Sequence, residues 1–395
     1  MYSYEEIQDA LVNVPKPCAY LHVESLENNI KSILQMSGDK KIRIASKSIR
    51  SVAVLKMIME YSDRFQGVMC FTADEALYLH EQDFDDLFIA YPIWDETQLR
   101  KICQLVKNGA IITVTIDSTE HLQHLERIAK DENGSFLVAI DIDLSTQFPG
   151  LHFGVYRSPL QTVTDVMALV KQINQSSYVK LDGMIGYEAQ IAGVVDKAPK
   201  QQMKNNLVRL LKRRSIKEIK QKRFAIMKAL QNEGVFVRFF NGGGTGSMLT
   251  TQEEEAVTEL TVGSGFYNSH LFDKYTSFQL APAVGFAIEI TRRPKEHIYT
   301  CLGGGYVASG AAGKDKLPEI YLPKGAKLTV NEGAGEVQTP VIYKGPIPLQ
   351  LGDPIILRHS KAGELCERFH YLHIIKGNRV IDQYTTYRGD GKCFL

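Results

Sequence analysis

From residue 41 to residue 262 the chain alternates short apolar runs with amphipathic stretches, and few folds accommodate that pattern. The runs 41–45, 67–71, 86–91, 111–116, 136–142, 179–186, 235–240 and 258–262 read as strands, rich in β-branched and aromatic side chains. Helical stretches at 52–61, 96–107, 119–130, 159–174 and 199–232 separate them. Another helix begins at Thr72, with Thr72 as N-cap and Glu75 as the acid of a capping box. Strands without polar alternation, separated by helices, make a parallel sheet covered on both faces. About eight such units fit a closed (β/α)8 barrel better than an open sheet. The barrel is expected over residues 16–274, with the run from Cys18 as its first strand. Beyond 275 the pattern changes to Pro- and Gly-rich turns with short runs at 286–291, 297–301, 327–330, 340–343, 354–358, 371–375 and 379–384. That predicts a C-terminal antiparallel β domain over 275–395, with residues 1–15 contributing to it. The fold class is therefore α/β plus β.

Bulk properties narrow the function. A formal net charge of +1 gives no global field suited to nucleic acid or a membrane surface. No apolar run approaches a membrane span. The start, Met1 to Glu6, is too polar for a signal peptide. The cysteines at 18, 70, 103, 301, 366 and 393 are scattered without a Cys-x-x-Cys pair, which fits a reducing cytoplasm. The basic tract from Lys200 to Arg223 lacks interleaved aromatics and reads as a solvated outer helix.

Two stretches carry chemistry. Lys47 follows strand 41–45 at its carboxyl end, where side chains of a parallel barrel gather around the site. Against apolar walls its ammonium form is disfavoured, and such a lysine can form a Schiff base; a strand-end lysine facing water is the plainer reading. Late in the barrel comes Asn241-Gly242-Gly243-Gly244-Thr245-Gly246-Ser247. Glycines there let backbone amides approach an anion, and hydroxyls add donors. This is neither a P-loop nor a dinucleotide fingerprint, because no Gly-Lys-Ser/Thr and no third glycine follow. Val262-Gly263-Ser264-Gly265-Phe266-Tyr267 lies one strand later, alongside.

The order of these motifs resembles the alanine-racemase-type (fold type III) pyridoxal-phosphate enzymes, in particular the D-threonine aldolase and D-serine dehydratase branch. The likeness covers nearly the whole chain. It rests on Pro17 to His22, Ser46-Lys47-Ser48, Gly186-Tyr187-Glu188, Gly243-Gly244-Thr245-Gly246, and Glu259 through Gly263, Ser264 and Tyr267. The resemblance implies pyridoxal 5'-phosphate (PLP) held by Lys47 as an internal aldimine, with the freed amine later serving as base. It implies Asn241, Gly243, Gly244, Thr245, Gly246, Gly263 and Tyr267 around the cofactor. Tyr187 is expected near the ring, or else packed in the barrel core. Arg157 is expected at the ring oxygen or a substrate carboxylate, or else on the surface. The branch also implies a metal after a Gly-Asp strand, held by His-x-Cys or His-x-Asp. Here Gly352-Asp353 is followed by His359 and Cys366 at another spacing, and Lys361 falls at the usual histidine position. His359 and Cys366 are the candidate zinc or manganese ligands, and His359 or Lys361 is otherwise a proton donor. The implied activity is a lyase on a D-3-hydroxy amino acid, by retro-aldol cleavage or by dehydration and deamination. An amino-acid racemase, a non-catalytic PLP-binding protein and a barrel for another phosphorylated ligand are the alternatives. A small amino-acid substrate and a homodimer complete the expectation.

Overall fold

Eight parallel strands close into a barrel in the order Phe239–Gly242, Glu259–Val262, Lys41–Ala45, Phe65–Cys70, Leu87–Ile89, Ile112–Ile116, Phe136–Asp141 and Val179–Ile185. This is the arrangement in the computed structural model, which describes residues 2–311 and 313–395. Strands such as Ile112–Ile116 are buried along their whole length, as a sheet covered on both faces requires. Inside the barrel, Phe88, Ala139, Ile185 and Phe239 form a separate apolar cluster. Gly183 makes room for it, since a Cβ there would sit 2.3 Å from the Phe239 ring. Below this cluster the fully buried Arg43 donates to Glu259 at 2.8 Å and to the Asp86 carbonyl at 2.7 Å.

The second body is a sheet of nine strands among the described residues, with its main path Lys327–Leu328, Gln338–Ile342, Ile298–Leu302, Val284–Lys295, Cys18–His22, Tyr371–Lys376 and Arg379–Thr385. Pro354–Arg358 pairs with Val284–Lys295, and Glu319–Leu322 pairs in turn with Pro354–Arg358.

Several expectations need correction. Cys18–His22 is no barrel strand: it lies at the centre of the C-terminal sheet, antiparallel to Val284–Lys295 and parallel to Tyr371–Lys376. That sheet is therefore mixed, and the chain enters the barrel only after His22. A strand buried at all five positions reads alike in either sheet, so partner choice was not written into its pattern. The strand placed at 235–240 is Phe239–Gly242, so Asn241 and Gly242 belong to the strand itself. A hairpin of Thr146–Phe148 and Leu151–Phe153 occupies what reads as loop. Thr72 caps its helix, but the Glu75 side chain reaches past it to the Phe71 amide at 2.8 Å.

Candidate active site

The carboxyl ends of the barrel strands converge on one mouth, and the side chains there follow a simple rule. Lys47, Tyr91 and Tyr187 each stand two residues past a strand, after Ala45, Ile89 and Ile185. Lys47 sits in a single turn, Ser46–Ser48, pinned by Ser46 Oγ donating to the Met69 carbonyl at 2.8 Å. Arg50 holds that turn from the other side. Its backbone is left-handed, with φ of 52°; its Nε donates to the Lys47 carbonyl at 2.9 Å and its guanidinium pairs with Glu367 at 2.6 Å. The Lys47 side chain itself is exposed, so enclosure by apolar walls is not met within one chain.

Lys47 opens onto a solvent-continuous cavity lined also by Tyr91, Arg157, Tyr187, Gly243, Gly244, Thr245 and Gly263. Lys47 Nζ donates to Tyr91 Oη at 3.2 Å. The Arg157 guanidinium lies 5.2 Å from the Tyr91 ring centre and 5.8 Å from that of Tyr187. It is fixed by Asp141 at 2.5 Å and the Ala90 carbonyl at 2.9 Å. Burial drives the Asp141 carboxyl up to about 6, although Arg157 pulls it the other way. Burial would raise the Tyr91 phenol, but Lys47 and Arg157 together bring it below its ordinary value.

Across the cavity the chain turns at Gly243, in the left-handed region with φ of 83°. A Cβ on Gly244 would meet Ala192 at 2.9 Å and the Tyr187 ring at 3.3 Å, so the backbone lies close under Tyr187. Thr245 Oγ1 accepts from the Gly265 amide at 2.9 Å, which ties the two glycine loops together. Among the described residues the amides of Gly244, Thr245 and Gly246 have no protein acceptor. Unpartnered amides in series suit a phosphate, and a lysine across the same cavity suits an aldehyde. The residues present thus fit PLP.

The loop is braced by a motif residue to which the sequence assigned no role. Glu188 is 2% exposed and accepts from the Gly243 amide at 3.2 Å, Ser247 Oγ at 2.7 Å and Thr251 Oγ1 at 2.5 Å. It also pairs with Arg223, which reaches Glu254 at 2.7 Å and the Gly186 carbonyl at 2.6 Å. Burial opposes ionisation of Glu188, yet Arg223 and the hydroxyls hold its carboxyl below the usual range.

Other expected residues stand elsewhere. Asn241 borders the cavity, but its side-chain amide donates to Glu259 and Thr261, both at 2.8 Å, so it is committed to the barrel interior. Gly246 lies behind the loop, where a Cβ would meet the Ala192 carbonyl at 2.4 Å. Tyr267 is fully buried and donates to the Ile49 carbonyl at 3.0 Å, bracing the lysine turn from behind. Cys366 points at the same carbonyl, 3.4 Å away, and burial pushes its thiol up to about 12. His359 is buried away from the cavity, neither ring nitrogen meets a partner among the described residues, and burial beside Arg358 pushes its imidazole down to about 3. It therefore stays neutral and out of reach as a proton donor. The two do not form the expected metal site: among the described residues no cluster of three or more His, Cys, Asp or Glu could hold an ion. Lys361 donates to Ser309 at 3.2 Å. Tyr91 and Glu188 were detectable, because each lies just past a barrel strand, where Lys47 was found. Arg223 was hidden inside a basic tract that reads as solvated.

Comparison with known proteins agrees with this geometry. The chain is 23% identical over 253 residues to a 3-hydroxy-D-aspartate aldolase of Paracoccus denitrificans (strain Pd 1222), a match over 64% of this chain and 60% of that protein. The D-threonine aldolase from Filomicrobium marinum superposes with a TM-score of 0.80 at 16% identity, covering 100% of both chains. The D-threo-3-hydroxyaspartate dehydratase from Delftia sp. HT23 gives 0.75 at 15% identity, covering 96% of this chain and 99% of that one. An alanine racemase of Clostridium difficile 630 gives 0.65 at 17% identity, covering 94% and 99%. These likenesses establish the fold. The family described as alanine racemase, N-terminal domain matches residues 21–270, well over half of the sequence, and this chain belongs to it.

Proposed function

We propose that the protein is a PLP-dependent lyase acting on a D-3-hydroxy amino acid, by retro-aldol cleavage or by dehydration and deamination. The observation that carries the reading is one cavity shared by Lys47 and the unpartnered amides of Gly244 and Thr245. Lys47 would bind the cofactor covalently and the Gly243–Thr245 loop would take its phosphate, with Tyr187 and Arg157 lining the same cavity to contact the cofactor or the substrate carboxylate. When bound, PLP supplies a sink for negative charge developed at the substrate Cα. The Lys47 amine would take or return the proton there. The relatives' substrates, D-amino acids with a 3-hydroxyl, support the choice of substrate class. A homodimer, whose second copy covers the exposed Lys47 mouth, belongs to the same proposal. So does a cytoplasmic location, which suits six unpaired cysteines. Among the described residues no helix is long and apolar enough to cross a membrane.

The test begins with covalent capture. Pure protein mixed with PLP and reduced with borohydride should yield one modified peptide, carrying Lys47, and Lys47→Ala should yield none. Incubation with D- and L-amino acids then separates the chemistries. Aldehyde or ammonia from the D-3-hydroxy compounds supports a lyase. Enantiomer exchange alone makes the protein a racemase, and absence of the Lys47 adduct overturns the reading altogether.

A further inference from the structure

Either lyase reaction moves protons at two neighbouring substrate atoms, and a second group beside Lys47 would let both move without one side chain shuttling between them. A D-3-hydroxy amino acid needs one proton moved at Cα and another moved at the oxygen on Cβ. The only polar side chain hydrogen-bonded to Lys47 Nζ among the described residues is Tyr91, at 3.2 Å. Its ring is held by geometry that has no evident structural purpose. Tyr91 is 40% exposed and packs no core, yet the Arg157 guanidinium lies over it, clamped by Asp141 and the Ala90 carbonyl. A nitrogen and an oxygen at hydrogen-bond separation match the spacing of a Cα hydrogen and the hydroxyl on the next carbon.

Resting on the lyase reading above, we propose that Tyr91 is the second catalytic residue, the acid or base that serves the substrate's 3-hydroxyl. The electron and proton balance closes for both reactions. In dehydration, Lys47 as amine takes the Cα proton, the Cβ–O bond breaks, and the Tyr91 phenol gives its proton to the departing hydroxyl, which leaves as water. The pair then stands as ammonium and phenolate. In retro-aldol cleavage it starts in that state. The phenolate takes the hydroxyl proton, the carbonyl of the aldehyde forms, the Cα–Cβ bond breaks with its electron pair left at Cα, and the Lys47 ammonium delivers a proton there. In each case one proton crossing the Tyr91–Lys47 hydrogen bond restores the starting state. Lys47 and Arg157 favour the Tyr91 phenolate, and Asp141 opposes it.

Tyr91→Phe tests this in the holoenzyme with two substrates. One is a D-3-hydroxy amino acid. The other is β-chloro-D-alanine, whose chloride leaves without a proton. Loss of a general acid or base costs about 100-fold or more. Turnover of the hydroxy substrate should fall by about that much, while chloride release falls by less than about fivefold. Equal losses on both substrates, or no loss on the first, overturn the assignment. In cofactor-free protein, the ultraviolet phenolate signal removed by Tyr91→Phe should titrate below the ordinary tyrosine range and move upward in Lys47→Ala. A titration indifferent to Lys47→Ala also overturns it. If the wild type captures PLP but cleaves no 3-hydroxy substrate, the lyase reading itself falls. If the wild type cleaves and Tyr91→Phe cleaves equally well, only the role of Tyr91 falls.

Discussion

A carboxylate that accepts from the loop expected to hold a phosphate is an electrostatic liability unless a cation cancels it. Glu188 is in that position, and Arg223 is the cation. Both are almost wholly buried, and Arg223 also faces Glu254, so one guanidinium compensates two carboxylates. Removing the cation is costly, because two buried carboxylates are left without their counter-charge. Arg223→Met should therefore lose about 3–5 kcal/mol of stability, read from urea unfolding. A loss under about 1 kcal/mol would mean that the network relaxes into solvent. Glu188→Gln keeps the shape but loses the charge that gathers Gly243, Ser247 and Thr251. The loop should hold its geometry less well and PLP should bind about tenfold more weakly, equivalent to about 1.4 kcal/mol. The double variant should lose less than the two single losses together, because the partners share one network.

The turn that presents Lys47 is fixed by an element far away in sequence. The segment after strand Pro354–Arg358 lays Gly363 directly on that turn, with φ of 84° and an ideal Cβ only 1.9 Å from the Lys47 carbonyl oxygen. Gly363→Ala must push the turn or the segment aside, and the covalent capture of PLP at Lys47 should fall sharply in a protein that stays folded by circular dichroism. Gly377→Ala is the control. Its φ of 59° is also left-handed, but a Cβ there meets open space. It should cost about 1 kcal/mol of stability and leave Lys47 capture intact. This dependence marks the limit of what the sequence could disclose. Barrel strands such as Phe136–Asp141 were legible because continuous apolar runs have one common use. The Lys47 turn and the Gly243–Thr245 loop were legible because strand-end chemistry follows from barrel geometry. Cys18–His22 was misplaced because burial on both faces says nothing of which strands lie alongside. His359 and Cys366 suggested ligands by residue type, but only the fold shows one aimed at the Ile49 carbonyl and the other sealed away. The hairpin at 146–153 has strands of three residues, too short to show a period.

At the scale of the whole molecule, the C-terminal tail clamps the barrel at the side where Lys47 sits. Ser51 Oγ donates to the Thr385 carbonyl at 2.7 Å, the Tyr387 amide to the Arg50 carbonyl at 2.9 Å, and Tyr78 Oη to Asp390 at 2.8 Å. At the centre of this seam Tyr387 Oη donates to Glu75 at 3.0 Å, and Glu75 has no exposure to solvent. Burial outweighs its hydrogen bonds and lifts its carboxyl from 4.5 to about 7. Between those two values the folded protein keeps a proton that the unfolded chain has shed. The stability gained from that proton is whole below 4.5 and declines as pH rises to about 7, by on the order of 3 kcal/mol. His359 acts in the opposite sense. Its imidazole drops from 6.5 to about 3 on folding, so its contribution is whole above 6.5 and is lost as pH falls. The wild-type profile mixes both, along with Asp141, and a difference measurement isolates Glu75. Glu75→Gln is neutral at every pH and keeps an acceptor for Tyr387. The stability of Glu75→Gln minus that of the wild type should climb by about 1–3 kcal/mol between about pH 5 and pH 7.5, measured by urea unfolding. A flat difference would mean that Glu75 ionises in the folded protein as it does in water, and that the seam between tail and barrel opens far enough to hydrate it. Because the same seam carries Arg50 and the turn before it, an open seam would also loosen the backbone behind Lys47, and PLP capture would weaken over the same pH range.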